Sequence, residues 1–499
     1  MATGESLYLA MIRTLWAALT ALCLLPACAL AAPAKAELLP CRVHGIPYEV
    51  RCGALQRPLD PGRPQGMRIT IHYVVVPAVS RNPAPDPVFL LAGGPGQSAI
   101  DVAGDVLALH SRLHNRHALV FVDQRGTGRS APLSCPRQAA ESLQAAADPD
   151  TELHELQRCL AQLVKLPYIG APADLGLFTT TLAMQDLDAV RAALGAPTLN
   201  LIGGSYGTRA ALEYQRQYPA HLRRSVLDGV APPDMVLPLS ASGDNQAALD
   251  ALWAACAAEP ACHAAFPHLA GDWAALKASV PRDVSLRDPR SGLPTQLHLT
   301  LPILMGAVRG PLYSPVVASA LPQAISAAAQ GSFEALLTLG GLVAPHASEH
   351  LAAGMHFSVI CAEDAPLMAA AAAARAADFD DLFADLYRKV CAQWPRGAVP
   401  AAFYTVPPAA TPVLLLSGGL DPMTPPRHAE RIARLLGPKA LAVTVPNAGH
   451  GVMGQNCIAD VIFHFIDARE DAAALAVDAG CARDVPRPLA FVLPPVATP

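Results

Sequence analysis

One serine stands in a setting that would make it a nucleophile. Leu199–Ile202 reads as a buried strand running into Gly203-Gly204-Ser205-Tyr206-Gly207-Thr208, a G-x-S-x-G pattern, and then into a helix that ends near Tyr218-Pro219. A strand-to-helix turn this sharp needs glycine where side chains would collide. It lifts the serine Oγ clear of the backbone and places a helix N-terminus behind it, where negative charge is favoured. The chemistry is acyl transfer, and it requires a base. Asp421 follows the apolar Leu414–Leu416, and His450 in Asn447-Ala448-Gly449-His450-Gly451 follows Val443-Thr444-Val445. Both lie just past a strand, where loops of an open parallel sheet build its active site. His450 would take the proton of Ser205, and Asp421 would hold the imidazole tautomer and stabilise its charged form.

The developing oxyanion needs donors. Val88–Leu91 leads into Ala92-Gly93-Gly94-Pro95-Gly96-Gln97-Ser98, and glycines at a strand end let backbone N–H groups face a substrate without a Cβ in the way. Gly94 N–H and Tyr206 N–H are the expected pair. A phosphate loop is the rival reading, but the segment lacks the Lys-Ser/Thr ending of a P-loop and the spacing of a dinucleotide fingerprint. No cofactor and no metal site is implied, since no C-x-x-C pair exists.

These residues need a sheet to hold them. Apolar, β-rich runs at Ile69–Val76, Val88–Leu91, Ala118–Val122, Leu199–Ile202, Ser225–Leu227, Val413–Leu416 and Leu441–Val445 suit strands buried on both faces. Helical patterns lie between them; Ala183, Leu187, Val190 and Leu194 keep one face, and Gly195 suits the stop. The fold class is therefore α/β, a mostly parallel doubly wound sheet. After Pro232-Pro233 the strand signal fades and alanine-rich helical segments take over until about Ala401. The expected organisation is a signal peptide at 1–31, a first core part at 32–234, a helical cap at 235–405 and a second core part at 406–499.

With 499 residues, 52% hydrophobic and 15% charged, the chain can bury a large core. Its net charge of −5 offers no basic surface for nucleic acid. Trp16–Ala32 is almost wholly apolar, follows Arg13 and ends in small residues, the layout of a secretory signal rather than a spanning helix. No integral span is expected after processing. Leu25-Pro26-Ala27-Cys28 is also similar to a bacterial lipoprotein box in which Cys28 would carry a lipid anchor, although its proline is atypical. Removal of residues 1–31 takes away Cys23 and Cys28 and leaves ten cysteines, an even number suited to an oxidising compartment. Their order suggests pairing of sequential neighbours: 41–52, 135–159, 256–262, 361–391 and 457–481.

Ala92-Gly93-Gly94-Pro95-Gly96, Asp123-Gln124-Arg125-Gly126-Thr127-Gly128-Arg129-Ser130 and Gly203–Thr208 together resemble the proline iminopeptidase and tripeptidyl aminopeptidase branch of the α/β-hydrolases. The resemblance continues through Val226–Val230 and the Asp421 and His450 segments, whose Ser, Asp, His order matches that family. Ala92 departs from the simple proline iminopeptidases, which have His there; with the export signals, this favours the exported tripeptidyl type. The resemblance implies an exported serine aminopeptidase acting on peptides with a free N-terminus, in the periplasm or outside the cell. An ester hydrolase on the same fold is the alternative, and a non-catalytic binding protein a third. An aminopeptidase needs a carboxylate for the substrate ammonium. Glu363 and Asp364, in Cys361-Ala362-Glu363-Asp364, resemble a Cys-x-x-Asp stretch of the tripeptidyl type and are the candidates, with a helix-capping role as the other reading. Asp123, Arg125 and Asp228 read as structural residues at strand ends.

Overall fold

Short apolar runs become strands covered on both faces. In the computed structural model Val88–Leu91 (β4) and Leu119–Val122 (β5) are buried at every position, as is Val413–Gly418 (β10). Fully burying a Val, Leu or Phe side chain contributes about 1.5–3 kcal/mol, so these runs can lie only in the middle of a covered sheet. The structure describes residues 37–135, 144, 149–287, 292–348, 351–369, 378–379, 382–455 and 457–492. The expected signal peptide at 1–31, with Cys23 and the lipid-anchor candidate Cys28, lies outside the described residues.

The remaining strands are β1 (Leu39–Cys41), β2 (Val50–Pro58), β3 (Arg68–Val76), β6 (Leu199–Gly204), β7 (Leu222–Asp228), β8 (Arg282–Arg287), β9 (Pro294–Leu299) and β11 (Ala440–Val445). Of the eleven strands among the described residues, nine form one sheet in the order β1-β2-β3-β5-β4-β6-β7-β10-β11. From β5 to β11 every pairing is parallel; the β1, β2 and β3 edge is antiparallel. This is the α/β-hydrolase architecture, a largely parallel sheet with helices on both faces. Because β4, β6, β10 and β11 run the same way, the loops after them emerge at one edge of the sheet, where the sequence placed its chemistry.

Two helices pack on one face, Thr180–Ala193 (α1) and Tyr206–Gln217 (α2), with the core side chains Met184, Leu187, Ala210 and Tyr214. Gly195, at φ 70°, stops the first as its position suggested. After β7 the chain leaves the sheet through Leu237–Ala258 (α3). The following stretch gathers its own apolar cluster, with Leu249, Trp273, Leu304 and Val308 of the helices, including Leu301–Leu312 (α4). It is not wholly helical: β8 and β9 form an antiparallel hairpin whose Val284, Leu286, Leu297 and Leu299 face that cluster. Farther on, Ala353–Glu363 (α5) returns to the main core with Met355, Phe357 and Val359, and Phe357 packs on Tyr387 and Trp394. It is followed by Leu382–Cys391 (α6), and the last long helix, Ile458–Asp467 (α7), buries Ile458, Val461, Ile462, Phe465 and Ile466 on the opposite face of the sheet.

All five sequential cysteine pairs form disulfides: Cys41–Cys52, Cys135–Cys159, Cys256–Cys262, Cys361–Cys391 and Cys457–Cys481. Among the described residues no helix is long and apolar enough to cross a membrane.

Candidate active site

Ser205 sits at the junction of β6 and α2 with φ 54° and ψ −122°, in the left-handed region that a side-chain-bearing residue adopts only under constraint. The constraint comes from its neighbours. A Cβ on Gly203 would strike the Gly207 carbonyl, and a Cβ on Gly207 would strike that of Leu91 in β4. Those two glycines let the turn close against the next strand. Ser205 N–H donates to the Asp228 carbonyl at 2.8 Å, which fixes the turn to the end of β7.

Asp421 and His450 come together from the loops after β10 and β11. His450 Nδ1 lies 2.8 Å from Asp421 Oδ2. The same carboxylate accepts the N–H groups of Met423 and Thr424 through Oδ1, at 2.8 and 2.9 Å, and the Thr424 hydroxyl through Oδ2 at 2.7 Å. Burial alone would raise the Asp421 pKa, but the imidazole and these donors outweigh it and hold the carboxyl below its ordinary value. His450 shows the converse balance: burial lowers it, while the charge and hydrogen bond of Asp421 carry it above 6.5. With Nδ1–H committed to Asp421, Nε2 is left as the acceptor, which is the tautomer a general base needs.

Gly93 closes on the serine, since a Cβ there would stand 3.3 Å from Ser205 Cβ. Gly94 has φ 110°, open to glycine alone, and a side chain there would run into Gly96 N. Tyr206 N–H opens α2. Among the described residues neither the Gly94 nor the Tyr206 N–H donates to another protein group outside regular helix and strand bonding.

The acidic pair lies inside the protein. Glu363 and Asp364 are 1% and 0% exposed and meet protein partners. Asp364 receives both terminal nitrogens of the buried Arg209 at 2.8 and 3.2 Å and the Leu237 N–H at 2.8 Å. Glu363 accepts Thr180 N–H at 2.7 Å and the Thr180 hydroxyl at 3.0 Å. This pair fastens α5 to α1, α2 and the start of α3. Each carboxylate accepts a first helical N–H, that of Thr180 in α1 and that of Leu237 in α3, in keeping with the helix-capping reading.

The strand-end residues read as structural occupy such positions. Asp123 accepts the Ser98 hydroxyl and the N–H groups of Ile100 and Arg129; Arg125 is buried on Asp186 and the carbonyls of Leu59 and Leu177. Asp228 accepts the N–H groups of Val452 and Met453, just after His450. One neighbour of the site escaped sequence reasoning. Tyr313, at the end of α4, accepts the His450 N–H through its carbonyl at 3.0 Å and sets its ring edge-on to the imidazole at 5.4 Å. No motif surrounds Tyr313, so only the folding-back of the inserted stretch reveals it.

The α/β hydrolase fold family model matches residues 86–287, and the TAP-like protein model matches residues 376–473. The first stretch contains Gly94, Ser205 and Tyr206, the second Asp421 and His450. The chain is 31% identical over 209 residues to the serine protease Hip1 of Mycobacterium tuberculosis, covering 40% of each chain. It is 30% identical over 217 residues to the tripeptidyl aminopeptidase of Streptomyces lividans, covering 42% of this chain and 40% of that one. The aligned stretch thus spans about two fifths of the length of both relatives. A carboxylesterase B of Mycobacterium tuberculosis is 28% identical over 451 residues, 83% of this chain and 84% of the relative.

Proposed function

This chain belongs to the α/β-hydrolases with a TAP-like C-terminal region, and from that membership we propose that it is an exported serine aminopeptidase that cleaves peptides from a free N-terminus. The observation that carries the catalytic part is the Asp421–His450 hydrogen bond placed at the same sheet edge as the constrained Ser205 turn. Ser205 Oγ attacks the scissile carbonyl while His450 Nε2 takes its proton. Asp421 keeps Nδ1 protonated and stabilises the imidazolium, and the Gly94 and Tyr206 N–H groups take the developing oxyanion. His450 then delivers the proton to the leaving amine, and a water activated by the same imidazole releases the acyl group.

Export is supported by five disulfides, which persist in oxidising compartments, together with the apolar N-terminal pattern. The peptidase reading draws on the Hip1 and tripeptidyl aminopeptidase relatives. Carboxylic ester hydrolysis is the second reading, favoured by the carboxylesterase B relative and by the burial of Glu363 and Asp364, which leaves the ammonium-binding carboxylate unassigned. The purified protein, assayed on a tripeptide p-nitroanilide with a free N-terminus, on its N-acetylated form and on a short-chain p-nitrophenyl ester, separates the two. The aminopeptidase reading expects at least a tenfold preference for the free peptide over the blocked one. Equal rates on both, with faster ester cleavage, would establish the esterase.

A further inference from the structure

Helix α5 touches the two halves of the oxyanion hole with its two ends. At the N-terminal end, Ala352 N–H donates to the Gly96 carbonyl at 2.9 Å, and Gln97 and Leu351 form an antiparallel bridge. One turn on, His356 Nδ1 lies 3.1 Å from the Pro95 carbonyl. A carbonyl only accepts, so Nδ1 carries the hydrogen, and Nε2 accepts from the Tyr387 hydroxyl of α6 at 3.0 Å. At the C-terminal end, Glu363 takes both the N–H and the hydroxyl hydrogen of Thr180. With that hydrogen committed, Thr180 Oγ1 accepts from the Tyr206 hydroxyl at 2.6 Å. The loop of one oxyanion donor thus hangs on His356 and the residue of the other on Glu363. Cys361–Cys391 and the His356–Tyr387 bond tie the helix itself to α6.

We propose that α5 is a brace that sets the spacing of the two oxyanion donors, with His356 acting through Pro95, and Glu363 through Thr180 and Tyr206, as positioning residues. The inference rests on the reading of Gly94 and Tyr206 as those donors. An oxyanion hole stabilises charge only when its donors stand 2.7–3.1 Å from where the charge develops, so small shifts of either half are felt in the chemical step rather than in binding. A merely structural tie is already supplied one residue on by the Asp364–Arg209 pair. Glu363 adds a second buried carboxylate that faces Thr180 more closely than Arg209, whose Nη1 is 3.7 Å away. Burial pushes its pKa up to about 7, against the pull of Arg209 and Thr180. The other groups facing it are Asp364, held by Arg209, and the Tyr206 and Tyr404 phenols, which keep their protons through the neutral range. Protonation of Glu363 therefore removes an acceptor from the Thr180–Tyr206 chain at a pH where the other members do not change.

The test is the steady-state kinetics of a short-chain p-nitrophenyl ester as a function of pH, with Ser205→Ala as control. For Glu363→Gln the brace predicts a kcat lowered about 10-fold to 100-fold with KM within twofold, and an acid limb of kcat that changes from two protons to one. Thr180→Val should reproduce the kcat loss should Glu363→Gln fail to fold. His356→Leu should lower kcat similarly, and His356→Asn, which keeps a donor at the Nδ1 position, should restore most of it. Wild-type kcat and pH slope in these variants, or a loss carried by KM, overturns the brace while Ser205→Ala remains inactive. Full activity of Ser205→Ala would instead overturn the reading beneath it.

Discussion

Asp228 joins Ser205 to the loop of His450: its carbonyl accepts the Ser205 N–H at 2.8 Å, and its buried carboxylate accepts the N–H groups of Val452 and Met453 at 2.8–3.0 Å. One residue at the end of β7 thereby sets the nucleophile turn and the base loop relative to each other. Asp228→Asn keeps one acceptor and turns an amide N–H₂ against a backbone N–H. The expected cost is about 2 kcal/mol of stability, from the loss of a charge-assisted bond, accompanied by a fall in kcat. Denaturant unfolding beside ester kinetics checks both, and an unchanged midpoint with unchanged kcat would show the carboxylate to be dispensable.

The pH dependence follows from His450. Its pKa is raised above 6.5 because Asp421 favours the charged form more than burial opposes it, and the base must be neutral to act. Activity is therefore full well above the raised value and lost as pH falls through it, so the His450 limb should lie above pH 6.5. Asp421→Asn removes the raising charge and the tautomer lock. It should shift this limb downward and lower kcat on the order of 10⁴-fold, by analogy with other triads. A limb below pH 6.5 in the wild type would contradict this balance of charge and burial.

The Arg209–Asp364 pair is wholly buried, so removing one partner strands the other charge. Asp364→Ala should destabilise the protein by about 3–5 kcal/mol, read as a large fall in Tm. Because Asp364 is buried on Arg209, the ratio of rates on free and N-acetylated peptides should not move. A changed ratio with an unchanged Tm would return Asp364 to the substrate.

Peptide mapping without reduction should recover the five sequential disulfides from the exported protein. Reduction should destabilise each closed loop by about 2–4 kcal/mol. Ten free thiols in the isolated protein would remove this support for export.

Much of the site could be read directly from residues because its constraints are local. Gly203 and Gly207 are required by the carbonyls they approach, and Asp421 stands one loop beyond the apolar start of β10 and His450 one loop beyond β11. The strand β2, next to the edge, was harder: its Gly53 and polar residues obscure the strand pattern, and Tyr73 of β3 fills the space over the glycine. The β8–β9 hairpin did leave a signal, the alternation of Val284 with Leu286 and of Leu297 with Leu299, but alanine-rich neighbours outweighed it. For Glu363 and Asp364 the sequence shows a pair of acids and not the Arg209 and Thr180 that meet them after a separation of more than 150 residues. Tyr313 and His356 reach the site only through the return of the inserted stretch, a long-range event with no local trace.

The most direct measurement concerns the serine itself. Wild-type protein and Ser205→Ala are incubated with a fluorophosphonate probe, and the site of phosphonylation is mapped by mass spectrometry while ester and peptide hydrolysis is followed. The triad predicts one phosphonyl group on Ser205, stoichiometric loss of activity in the wild type, and neither labelling nor turnover above the water rate by more than about 10³–10⁴-fold in Ser205→Ala. Labelling at another residue, or full turnover by Ser205→Ala, would contradict it.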